Sequence, residues 1–138
     1  MDKYKEVRPI VLGLARHGSK ILVMEGHQLG HDETYYRCLG GGIGFQEKSP
    51  DTLVRKFKEE INVDIKVGEY LGMSENIFIH NGKKQHELVV FYDITIPHKD
   101  YQDEYQSHDG TKALWVEVDE FLGGVKIIYP CDMAKFLK

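Results

Sequence analysis

The sequence predicts an α/β or α+β sandwich, a mixed sheet with helices packed on it. Three observations predict it: one amphipathic run with helical spacing, from about Pro50 to Ile61; β-rich runs on both sides of it; and a tail, CDMAKFLK, suited to a closing helix.

The elements follow in chain order. Between Val7 and Met24 the runs VRPIVLGLA and KILVM flank RHGS, whose glycine and polar neighbours suit a tight hairpin turn. The polar stretch EGHQLGHDE leads to TYYRCL, a short strand ending in Gly40, Gly41 and Gly42. A backbone of glycines can turn sharply there, or lie close to a ligand, without steric cost. Ser49, Pro50 and Asp51 read as a helix start: serine as cap, proline in the first turn, aspartate at the positive end of the dipole. Leu53, Val54, Phe57 and Ile61 then form one apolar stripe, and Asn62 stands where a helix ends in a left-handed residue.

From Val63 to Ile96 the chain is strand-rich again, and Asn81-Gly82 between ENIFI and HELVVFYDITI is its strongest hairpin signal. The polar segment PHKDYQDEYQSHDGTK reads as an exposed loop. ALWVEV is a further strand, Asp119 can cap a short helical turn, and the tail closes the chain. No repeat or low-complexity tract interrupts this order.

Composition bounds the function. A chain of 138 residues fits one domain, residues 1–138, able to bury a core without disulfides or a structural metal. With 41% hydrophobic and 29% charged residues it belongs with soluble globular proteins. The longest apolar runs fall far short of the roughly 20 residues that span a bilayer. MDKYKEVRPI has no apolar signal core, so a cytoplasmic location is expected. Cys38 and Cys131 belong to no metal or redox spacing and read as free thiols. A net charge of -4, with no long basic cluster, argues against a nucleic-acid polymer as partner and for a small ligand. Monomer and homodimer are both left open.

The helix carries the chemistry. Arg55, Lys56, Glu59 and Glu60 form a polar sector beside the apolar stripe, at separations where side chains on a helix meet. Neighbouring carboxylates near a glycine-rich loop, which also brings Glu47, suit a hard divalent cation with oxygen ligands. Such an ion can hold a pyrophosphate, offset its charge and activate water.

In register, Gly41, Glu47, Arg55, Phe57, Glu59, Glu60 and Val63 resemble the Nudix box of the MutT-like pyrophosphohydrolases. YYRCLGGGI and ENIF…HELVVFYD are similar to the same family, so the resemblance covers most of the chain. It implies an α/β/α sandwich with a mixed β-sheet and a loop-helix-loop box. It implies a small nucleotide-type substrate, a nucleoside diphosphate linked to another moiety, hydrolysed with Mg2+ or Mn2+. It implies that Glu59 and Glu60 ligate the metal and that Glu47 and Arg55 brace the loop. Gly41, Gly42 and Lys56 are the expected substrate contacts, and Glu87 could supply a further metal ligand.

Two box positions depart from the pattern. Asn62 replaces a glycine, a mild change at a left-handed position. Lys56 replaces a glutamate. At about 6 Å and an effective dielectric near 20, a unit charge and a divalent ion interact by roughly 5 kcal/mol, and the exchange reverses that sign. Weaker metal binding than a full box would give is expected, with the lysine turned to solvent, to a substrate phosphate, or to Glu59 or Glu60. Gly44 also occupies a position often acidic in close relatives.

Plainer readings stand beside these. Glu59 and Glu60 could be a solvated helix face paired with Arg55 and Lys56, Glu47 and Arg55 a surface pair, and Glu87 an edge charge. His27 and His31 lie in an expected loop and make a poor metal site. Tyr35, Tyr36 and Phe78 could stack on a base, although aromatics on strands usually pack. Asp103 and Glu104 are candidates for a mobile acid. A Nudix-fold binding protein with reduced or no catalysis, caused by Lys56, is the alternative function.

Overall fold

A computed structural model describes residues 5–27 and 34–138. In order these form β1 (Val7–His17), β2 (Lys20–His27), β3 (Thr34–Arg37), β4 (Leu39–Gly42), α1 (Ser49–Ile61), β5 (Lys66–His80) and β6 (Lys83–Thr95). β7 (Glu104–Gln106), β8 (Lys112–Glu117), α2 (Val118–Leu122) and β9 (Ile127–Ile128) follow, and a 3-10 turn, Cys131–Phe136, closes the chain.

β1 is the organiser. Its residues from Ile10 to Ala15 are buried, as expected of a strand covered on both faces. It runs parallel to β6, antiparallel to β4, and pairs with β2 at its far end, so the sheet is mixed. Successive side chains point to opposite faces. Ile10, Leu12 and Leu14 therefore enter one core with Phe91, Phe121 of α2, and Met133 and Leu137 of the tail. Val11 and Ala15 enter the other with Leu22, Leu39 and the α1 residues Leu53, Phe57 and Ile61. One sheet with helical elements on both faces is the α/β sandwich that the pattern of elements predicted.

The two hairpins form as expected. β1 and β2 meet across Gly18 and Ser19, and β5 and β6 across Asn81 and Gly82, both with positive φ. Asn62 ends α1 in the left-handed region at φ 57°, its N–H donating to the carbonyl of Lys58.

Other expectations need correction. Ser49 is not the cap. Lys48 takes that place without a side-chain bond, and the Ser49 hydroxyl instead pairs with the Tyr92 hydroxyl at 2.9 Å, across to β6. Val54 leaves the apolar stripe and is exposed, while buried Thr52 takes the opposite flank. The buried sector is thus rotated towards Thr52, because the sheet and the box loop both press on that side. TYYRCL is two strands, broken at Cys38, and the three glycines lie within β4 rather than in a turn. The segment expected as an exposed loop contains β7, where Tyr105 is buried and its hydroxyl donates to the carbonyl of Asp100. Glu117, not Asp119, precedes α2, and the tail winds as 3-10 turns rather than an α-helix. Cys38 is buried and Cys131 exposed; both are free, and burial pushes the Cys38 thiol up to about 12.

Candidate active site

The loop between β4 and α1 is tied to the helix by one carboxylate. Glu47 receives two hydrogen bonds from Arg55, Nε to Oε2 at 3.0 Å and Nη2 to Oε1 at 2.8 Å. Such a forked pair sets direction as well as distance. The Thr52 hydroxyl donates to the same carboxylate at 2.9 Å and accepts the Gly44 N–H at 3.2 Å. The Glu47 N–H closes the turn onto the carbonyl of Gly44. Hydrogen bonds from Arg55 above all hold the Glu47 carboxyl down at about 2. The remaining guanidinium nitrogen reaches Glu59, one turn further along α1, at 3.0 Å.

The polar sector of α1 therefore divides. Arg55 and exposed Glu59 face the loop, whereas Lys56 and Glu60, also one turn apart, lie half-buried between Thr52 and Phe57 and face β4. The glycines permit this closeness. A Cβ on Gly41 would stand 3.0 Å from Lys56 Cε and 3.5 Å from Nζ, so the ammonium lies over the bare strand. Burial pushes the Glu60 carboxyl up, Lys56 and His108 oppose the shift, and Asp109 and Glu59 add to it.

Gly41, Gly42, Glu60 and Glu87 line one cavity of about 360 Å³ together with Arg8 and Arg37. Glu87, on β6, is 3% exposed; Arg37 donates to it at 2.8 Å and Arg8 stands 3.8 Å away. A second cavity of about 470 Å³ shares Arg8, Tyr35, Arg37 and Glu87 and adds Phe78 and Tyr129. Asp109 also lines the first cavity, with its carboxylate accepting the Thr111 N–H at 2.9 Å.

The structure thus gathers Gly41, Gly42, Lys56, Glu60 and Glu87 at one place, and Glu47, Arg55 and Glu59 beside it. Tyr36 is a core residue against Phe121 rather than part of either cavity. Glu104 pairs with Lys112 on β8 at 3.4 Å, and neither it nor Asp103 lines the cavities described. His27 lies beside the Thr34 hydroxyl at 3.3 Å, and His31 falls outside the described residues. Sequence reasoning missed Arg8, Arg37, Thr52 and Asp109. Of these only Asp109, in an Asp-Gly turn, carries a local signal.

Among the described residues no three acidic, histidine or cysteine side chains converge as a divalent ion needs. Arginines already pair with Glu59 and Glu87, and an ammonium stands by Glu60. As they stand, these acids do not fit the ion.

The model of the NUDIX domain matches residues 6–135. The chain belongs to the NUDIX domain family. Nudix hydrolases generally use divalent metals. Among solved structures, the chain is similar to the ORF135 protein of E. coli, at 21% identity and TM-score 0.64, covering 96% of this chain and 86% of that one. It is also similar to the MutT protein of Bacillus halodurans, at 17% identity and TM-score 0.67, covering 96% and 81%. An ADP-ribose pyrophosphatase from Streptococcus suis aligns at 13% identity and TM-score 0.64, covering 96% and 90%. At these identities the likeness is one of fold. No curated protein sequence matches the chain.

Proposed function

We propose that this Nudix protein hydrolyses a phosphoanhydride bond in a nucleoside diphosphate linked to another moiety. Membership of the family and its hydrolase neighbours support a Nudix-type pyrophosphatase. Two of those neighbours are named an ADP-ribose pyrophosphatase and a UDP-X diphosphatase.

The observation that carries the reading is a pair of cavities with Arg8, Tyr35, Arg37 and Glu87 as common lining. Phe78 and Tyr129 line one, the glycine strand and Glu60 line the other, and Lys56 lies over Gly41 of that strand. Aromatic faces suit a base, guanidinium groups suit phosphate oxygens, and a strand of glycines admits the diphosphate close to the backbone. The braced loop keeps α1 in register beneath. Magnesium or manganese would be the cofactor of that hydrolysis, and Glu59, Glu60 and Glu87 would fit it only after turning from the cations they now face.

Lys56 over Gly41 favours a second reading, nucleotide binding with little or no catalysis. A panel of nucleoside diphosphate derivatives assayed with magnesium, manganese or a chelator separates the two. Turnover by the wild type that falls at least about a hundredfold in Glu60→Gln supports hydrolysis. Binding across the panel without turnover of any member leaves only the second reading.

A further inference from the structure

We propose that Lys56 is a resident counter-cation, letting this site hold a nucleoside diphosphate without a divalent ion. The proposal rests on the nucleotide reading above and deepens it.

Lys56 is placed for this work. A lysine on a helix surface ordinarily extends its head into water along an apolar stem. Here the stem lies back across Gly41, its Cε and Nζ within 3.0 and 3.5 Å of where a Cβ would be. Only a strand without side chains leaves room for it, and the same bare strand is where a diphosphate would lie.

The surrounding acids leave that ammonium available. Glu47 and Glu59 are bonded to Arg55, and Glu87 to Arg37. Glu60 is the carboxyl facing Lys56 from the same helix. His108 and Asp109 face the pair from the loop before β8, and the Asp109 carboxylate is occupied by Thr111. Arg8 and Arg37 border the same cavity.

Compared with a box that has glutamate here, the charge facing the glycine strand differs by two units in favour of an anion. A fixed ammonium on this strand does part of what a bound divalent ion would do for the phosphates: it offsets their charge at close range. Diphosphate binding and metal binding are thereby separated in this chain.

Calorimetric titration of α,β-methylene-ADP, which cannot be cleaved between its phosphates, tests the proposal in excess chelator and in magnesium. Wild type is expected to bind with affinities within about threefold of each other in the two buffers, and Lys56→Gln to lose at least about tenfold in chelator. Lys56→Glu is expected to bind only when magnesium is present. Thermal melts of both variants establish that they are folded. Wild-type binding that needs magnesium, or Lys56→Gln binding like wild type in chelator, overturns the proposal and leaves the nucleotide reading intact. Failure of wild type to bind in either buffer overturns both.

Discussion

Neighbouring glycines on β4 should respond to very different degrees to the same added methyl group. Gly40 has φ 154°, and its Cβ would overlap the carbonyl oxygen of Val11, a backbone atom of the paired strand. A non-glycine residue in such a conformation costs of order 1–3 kcal/mol, and moving β4 off β1 adds to it. A total of about 3 kcal/mol is expected. Gly41 meets only the flexible end of Lys56, at 3.0 Å, and no strained φ is recorded there. A small rotation of the lysine relieves that contact. The reduced freedom of the unfolded chain offsets part of the cost, so the net change stays within about 1 kcal/mol. For 138 residues at about 2.1 cal/mol/K each, the unfolding entropy is near 290 cal/mol/K, so 1 kcal/mol moves Tm by about 3.4 °C. Gly40→Ala should lower Tm by about 10 °C, and Gly41→Ala should shift it by at most about 3 °C. Circular dichroism melts measure both. Because Gly41→Ala displaces the ammonium, it should also weaken binding of the diphosphate analogue in chelator while the fold persists. Equal loss of Tm in the two variants would refute the assignment of backbone overlap to one glycine and side-chain contact to the other.

Further perturbations address the helix and its brace. Phe57 is 1% exposed between α1 and the sheet, so Phe57→Ala should cost about 3–5 kcal/mol. Val54, 37% exposed on the same helix, should tolerate alanine within about 0.5 kcal/mol; comparable losses in urea denaturation would contradict the observed rotation of α1. Glu47 is held at about 2 against an ordinary 4.5, so its ionised form stabilises the fold above about 4.5, and that contribution disappears as pH falls towards 2. The unfolded chain takes up the proton first, which sets this sign. The stability gap between wild type and Glu47→Gln should therefore narrow between about pH 5 and pH 2.5, and a gap constant over that range would exclude the pairing with Arg55 as its source.

Much of the scaffold was legible in the sequence because it is encoded at short range. Asn81-Gly82 and RHGS specify their turns by the conformations a few residues prefer, and Asn62 accepts the left-handed end of α1 for the same reason. The spacing of Leu53, Phe57 and Ile61 marks the buried face of the helix. The box residues from Gly41 to Val63 were readable in register, and with them the family. The short-range signals also misled. Ser49 has the chemistry of a cap, yet its hydroxyl found Tyr92 across the sheet, a partner that no local rule names.

What only the tertiary structure decided is which charge meets which. Glu59 and Glu60 are adjacent in the chain, but the loop draws one to Arg55 while the sheet half-buries the other beside Lys56. Glu87 is claimed by Arg37, fifty residues away, and Arg8 joins it from β1. The direction of Lys56 follows from the bare surface of β4, and Asp109 arrives from a loop whose β7 strand was invisible to composition. Periodicity and turn preference act through bonded neighbours, whereas Coulomb attraction and burial act through space. A linear sequence therefore displays the scaffold of this site more readily than its electrostatics.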